Sequence, residues 1–325
     1  MSLAAQLLGS IQAELDLFEE RLDQALQSEV ELVHHVARYL APLKGKRLRP
    51  ALAVLSARAA GGWDDRIIDA GVAVEMIHTA TMIRDDVVDS AALRRGKETV
   101  NAAWDSRIAV LMGDFLLSRA LNILVDLKNE QALETVSRVT ERLSQGEIYE
   151  IQIGQQADTR EASYLAMVSD KTASLIAASC KLGPILAGAP PQTVEALGHY
   201  VEALGLAFQI ADDVLDFTGD AHTLGKPVGH DLREGKITLP LIRALAAAPP
   251  AERAAAEALV RQPEKTEAEW GPIVAFVERH QGLRSARQTA RQYGERAEEC
   301  LKTLPASFSR MALQQAARLV VERDN

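Results

Sequence analysis

Residues 66–89 read as one long helix, almost wholly apolar from Val72 to Ile83 and ending in Asp85-Asp86-Val87-Val88-Asp89. A helix that is apolar on every side has to sit at the centre of a fold. The chain must therefore build around this segment while bringing its acidic end to a place where carboxylates are useful. The polar residues Glu75, His78, Asp85 and Asp89 fall on one stripe, so the buried helix has a single chemically active side. The acidic signature recurs as Asp212-Asp213-Val214-Leu215-Asp216, on a helix predicted over 195–216. There Leu197, Val201, Leu204, Phe208, Ala211 and Leu215 make one apolar face, and Gln209, Asp212 and Asp216 make a separate polar one.

Asp85 with Asp89, and Asp212 with Asp216, stand at i and i+4 and face the same way. Like charges at that spacing destabilise a bare helix. Both groups also lie at the C-terminal end of their helix, where the backbone dipole disfavours a carboxylate. Such a local conflict is expected where a chain keeps residues for function. Something cationic should occupy the space in front of each pair. Two such helices facing each other would hold a cluster of hard divalent cations, with Mg²⁺ and a polyanionic substrate fitting best.

The rest of the chain reads as all-α. Of its 325 residues 47% are hydrophobic but only 4% aromatic, and the surplus is Ala and Leu, which favour helix over sheet. An amphipathic helix is expected over residues 3–40, ended by Pro42 and followed by a basic loop, then a helix over 51–60 stopped by Gly61-Gly62. Further helices are expected over 104–125, 131–153 and 161–188. Residues 217–236 read as a glycine-punctuated functional loop carrying Lys226 and Lys236, and 247–270 as a variable surface excursion. No linker divides the chain, so residues 1–325 are expected to form a single domain. A formal net charge of −9 argues against nucleic acid as a partner. Cys180 and Cys300 form no metal or redox spacing and suit a reducing cytoplasm. The first residues lack the pattern of a secretory signal, and no charge-free apolar run reaches the ~18 residues of a membrane span, so a cytoplasmic location is expected.

Other groups fall in order around the acidic motifs. Gly45-Lys46-Arg47-Leu48-Arg49-Pro50 comes first, then Glu75-Met76-Ile77-His78, Leu93-Arg94-Arg95-Gly96-Lys97, Gly113-Asp114-Phe115-Leu116 and Asp170-Lys171-Thr172. Phe208-Gln209 precedes the second acidic motif, and Leu224-Gly225-Lys226-Pro227 and Gly235-Lys236 follow it. In order and spacing this strongly resembles the trans-isoprenyl diphosphate synthases, or polyprenyl synthetases, from about residue 40 to 245. The resemblance implies a single-domain antiparallel helical bundle around a deep central cavity, in a homodimer. It implies head-to-tail condensation of isopentenyl diphosphate with an allylic diphosphate, aided by Mg²⁺, about three ions per active site with substrate bound. By the same resemblance Asp85, Asp89 and Asp212 are direct metal ligands, and Asp86, Asp213 and Asp216 support them. Arg94, Lys171, Lys226 and Lys236 are expected on the allylic diphosphate. Lys46, Arg49, His78 and Arg95 are expected on isopentenyl diphosphate, with Thr172 and Gln209 near the reacting carbons. Arginine forks suit such phosphate contacts.

In this family the positions just before the first acidic motif line the product tunnel. Here they are the small residues Ala80 and Thr81, which implies a long product, heptaprenyl to decaprenyl, with geranylgeranyl as the alternative. Ile77, Leu111 and Phe115 are candidates for the wall further down. Arg84 stands where long-chain members usually carry His, and Ser90-Ala91 replaces a commonly acidic stretch. A class I terpene cyclase would share the first motif but not a second of the form DDVLD, nor need the Lys46, Arg49 and His78 set. A non-catalytic partner subunit would be expected to lose one motif. Long products are lipids, so transient membrane contact at product release is expected without an anchor.

Overall fold

The computed structural model describes residues 9–40, 47–94, 96–218, 235–262 and 267–322. Almost all of the described chain is helical. It groups into two compact units. Unit 1 takes residues 1–140, 175–198 and 301–313, and unit 2 takes 141–174, 199–300 and 314–325.

Unit 1 is organised by α4 (Arg66–Val88), which follows α1 (Gln12–Ala25), α2 (Glu31–Leu40) and α3 (Leu48–Ala59). As its composition requires, α4 is buried almost all round, from Ile67 and Ile68 through Val72, Val74 and Met76 to Ile83. A two-residue antiparallel ladder follows, β1 (Leu93–Arg94) with β2 (Lys97–Glu98), then α5 (Val100–Ala103) and α6 (Ser106–Asp126). Helix α6 packs along α4. Gly113 sits in that seam: a Cβ there would lie 3.2 Å from Arg84 Nε and 3.4 Å from the Ala80 carbonyl oxygen. Arg84 therefore lies across α6 and donates to Asp114 at 2.6 Å, tying the acidic end of α4 to its neighbour. By length and composition α6 could cross a membrane, but one side of it is core, with Ala109, Met112, Leu116, Ala120 and Leu124 buried. Its other side leaves Val110, Leu111, Leu121 and Val125 exposed.

Unit 2 builds its core where Tyr164, Val168, Ile210, Val214 and Phe217 meet Leu239, Leu241 and Ile242. The contributing elements include α8 (Glu161–Val168), α10 (Pro191–Thr218) and α11 (Leu239–Ala247). They are joined by α12 (Pro250–Val260), α13 (Glu267–Arg279) and α14 (Gly282–Cys300). Between α11 and α14 the packing is close, and Arg243 of α11 reaches back to Glu161 of α8 at 2.6 Å.

Three local expectations are corrected. The amphipathic pattern over 3–40 is broken after Ala25, because Ser28 turns its hydroxyl to accept from the Val30 N–H at 3.2 Å. A serine bonding two residues ahead offers the backbone a turn in place of a helix. The segment 247–270 is largely helical: Pro250 opens α12, where a proline at the first helical position is well placed, and the alanines behind it are strong helix formers. The third correction is a π turn, Ser169–Ala173, inside the helix expected over 161–188, separating α8 from α9 (Ser174–Leu186).

Both cysteines are free, but their surroundings differ. Cys180 is fully buried in unit 1 and burial pushes its thiol up to about 12. Cys300 is half-buried. Iodoacetamide on the native chain near pH 8 should therefore label Cys300 well before Cys180, read by peptide mass spectrometry; equal labelling would contradict this core packing.

Candidate functional site

The first acidic motif ends α4, and its three carboxylates are not equivalent. Asp85 is half-buried, Asp89 is exposed as the helix cap, and Asp86 is buried. Arg94, presented by β1, grips one oxygen of Asp86 with two nitrogens, Nη2 at 2.6 Å and Nε at 2.7 Å. Burial pushes the Asp86 carboxyl above the usual range; Arg94 opposes this and the charge on Asp89 adds to it. The β1–β2 turn that carries Arg94 is pinned to the helix end. The Ala91 N–H donates to the Asp86 carbonyl at 2.9 Å, and Thr99 Oγ1 donates to the Ala91 carbonyl at 2.6 Å. Both outer carboxylates thus stay accessible at the helix end.

The second motif ends α10 and divides the same way. Asp212 is exposed and Asp216 half-buried, while Asp213 is turned into the core of unit 2. Tyr164 donates its hydroxyl to Asp213 Oδ2 at 2.6 Å, and Gln209 donates from Nε2 to Oδ1 at 2.8 Å. Thr172 Oγ1 in turn donates to Gln209 Oε1 at 3.3 Å. The expected polar contacts Thr172 and Gln209 therefore join one chain that ends on a buried carboxylate.

The basic residues are held by acids. Lys171 lies on the π turn with its ammonium between Glu147, at 2.9 Å, and Glu150 of α7 (Glu130–Gln156). Burial alone would lower its pKa, but Glu150 and Glu147 outweigh it and hold the ammonium above its ordinary range. Arg49 points one nitrogen at Glu75 Oε2, 4.0 Å away, and Arg47 binds Glu75 at 3.1 Å and Glu19 at 2.5 Å. His78 follows Glu75 on α4 and is half-buried, and Lys236 is half-buried ahead of α11. Lys46, Arg95 and Lys226 lie outside the described residues. Ala80 is buried and Thr81 half-buried, with its hydroxyl on the His78 carbonyl. Of the suggested wall residues, Ile77 is buried, Phe115 half-buried and Leu111 exposed.

Sequence reasoning missed Tyr164, Glu147 and Glu150. Among the described residues, no group of three His, Cys, Asp or Glu side chains is arranged to hold a metal ion unaided. The outer carboxylates nevertheless offer hard oxygen donors in pairs, the chemistry that suits Mg²⁺ or Ca²⁺ when a polyanion supplies further oxygens.

A family model described as polyprenyl synthetase matches residues 30–276. The chain is 38% identical over 315 residues to heptaprenyl diphosphate synthase component 2 of Geobacillus stearothermophilus, covering 96% of each chain. It is 38% identical over 320 residues to the geranyl-diphosphate-specific all-trans-nonaprenyl-diphosphate synthase of Rhodobacter capsulatus, covering 98% of this chain and 97% of that one. Among solved structures, it is similar to a polyprenyl synthase from Caulobacter crescentus complexed with calcium and isoprenyl diphosphate. That match has a TM-score of 0.91 and 36% identity, covering 99% of this chain and 98% of that one.

Replacing Tyr164 with Phe removes a donor from a buried carboxylate. It should lower stability by about 1.5–3 kcal/mol in urea unfolding. An unchanged unfolding midpoint would contradict the role given to this contact.

Proposed function

The chain belongs to the polyprenyl synthetase family, and on that footing we propose that it is a cytoplasmic, long-chain all-trans-polyprenyl diphosphate synthase acting as one domain over residues 1–325. It joins isopentenyl diphosphate head to tail to an allylic diphosphate, repeatedly, to reach heptaprenyl to decaprenyl length. The observation that carries this reading is the division of labour within both acidic motifs. In each, the middle aspartate is buried and satisfied by protein donors, and the flanking pair is left at the helix end. Carboxylates at i and i+4 repel each other, a cost that a bound cation would relieve.

In this reading Asp85, Asp89 and Asp212 would hold divalent metal directly, with Asp216 in support and Asp86 and Asp213 fixing each motif from behind. Bound Mg²⁺, about three ions per active site, would supply Lewis-acid stabilisation of the departing diphosphate. The protein's own cations do the rest. Arg94, Lys171, Lys226 and Lys236 hold the allylic diphosphate. Lys46, Arg49, His78 and Arg95 hold isopentenyl diphosphate, which keeps its diphosphate throughout. Thr172 and Gln209, already oriented by Asp213, sit beside the reacting carbons. Ala80 and Thr81 leave room for a growing chain, and the lipid product is released at a membrane surface.

The assembly is proposed to be a homodimer. The outer side of α6 exposes Val110, Leu111 and Val125, the kind of apolar face that marks an interface. Sedimentation should give twice the 35.3 kDa chain mass, and Leu111→Glu with Val125→Glu should give a monomer. A monomeric parent chain, or a variant that still dimerises, would contradict the placement.

The activity itself is tested with purified chain, Mg²⁺, labelled isopentenyl diphosphate and farnesyl diphosphate. Dephosphorylated products should run as heptaprenol to decaprenol, and Ala80→Phe should shorten them to geranylgeraniol or below. A parent product that stops at geranylgeraniol refutes the length assignment. No incorporation with any allylic primer refutes stand-alone synthesis and points to a required second subunit.

A further inference from the structure

The reaction as described leaves two half-buried acids without a task. Glu147 and Glu150 stand three positions apart on α7, so they share a face, and each side chain is only 18% exposed. Both are aimed at Lys171 Nζ. Their meeting is built into the backbone. The π turn that carries Lys171 comes so close to α7 that a Cβ on Gly146 would lie 2.6 Å from the Lys171 backbone nitrogen. Arg142, one turn earlier on α7, fixes the same turn by donating to Asp170 at 2.7 Å and to Ser169 Oγ at 2.9 Å. Local π geometry of this kind recurs at functional positions.

An ammonium has three donors, and here two carboxylates engage it. The trio carries a net charge of −1 where an unaccompanied lysine would offer +1. An incoming diphosphate oxygen takes the remaining donor or displaces a carboxylate, and in either case sits beside carboxylate charge.

We propose that Glu147 and Glu150 form a clamp that withholds the Lys171 ammonium and thereby sets the affinity for the allylic diphosphate, without touching isopentenyl diphosphate. They act through Lys171 and are positioning residues. The proposal rests on the reading of Lys171 as an allylic-diphosphate ligand.

The test is calorimetric binding of an unreactive allylic probe, geranyl thiolodiphosphate, and of isopentenyl diphosphate, each with Mg²⁺, to the full parent chain, Glu150→Gln and Glu147→Gln. Removing one charge should tighten the allylic probe about fivefold, the size of one screened charge contact, and leave isopentenyl diphosphate unchanged. A gain in affinity for one ligand is not an effect that structural damage produces. An allylic Kd that is unchanged or weakened in both variants overturns the clamp, as does equal tightening of both ligands. Turnover of the parent chain is scored separately: its failure would count against the synthase reading, while the binding comparison would still decide the clamp.

Discussion

Everything in this molecule is arranged around carboxylates placed where isolated helices would least tolerate them. Two buried helices end in three aspartates each, against the helix dipole and against one another. The fold relieves one charge of each three. Asp86 is gripped by Arg94, and Asp213 accepts from Tyr164 and Gln209. Asp89 and Asp212 instead stand exposed at their helix ends. Burial of the middle aspartate also fixes the rotation of each helix end, so the flanking pair is directed by packing and not by its own preferences.

The cations of the site show the complementary state. Arg94 lies on Asp86, Lys171 on Glu147 and Glu150, and Arg49 faces Glu75. The protein is acidic overall, with a net charge of −9, yet it is read as a binder of two diphosphates. Substrate entry is then an exchange of partners. In the proposed reaction metal would satisfy the outer aspartates, and diphosphate oxygens would meet basic residues that already hold carboxylates. Carboxylate charge that stays beside the diphosphate lowers the affinity, so the acids around each cation tune how tightly it holds substrate.

Much of this was legible in the sequence, because it rests on short-range periodicity. The apolar run from Val72 to Ile83 demanded a central helix, and the twice-written motif demanded a cation, whatever the fold between them. The partners that position the site were harder to read. Tyr164 reaches an aspartate 49 positions away, and Lys171 meets Glu150 from 21 positions away. Nothing in a helical pattern distinguishes Tyr164 from an ordinary core residue. Glu147 and Glu150 did carry a signal, since like charges three apart share a face, the argument applied to the aspartates. The break at Ser28 and the π turn at Ser169 escaped for another reason. Each is decided by a single hydrogen bond or a close helix approach, which apolar periodicity does not record.

The most direct measurement is the thermal unfolding midpoint with and without Mg²⁺ plus geranyl thiolodiphosphate. It should be made for the parent chain, for Asp85→Asn with Asp89→Asn, and for Asp212→Asn with Asp216→Asn. Ligand that binds only the folded state raises that midpoint. If the outer carboxylates exist to hold metal against a diphosphate, the parent chain should shift upward, and each double variant should lose the shift while its ligand-free midpoint stays level or rises as repulsion is relieved. Double variants that keep the full shift, or that unfold earlier without ligand, would contradict the account.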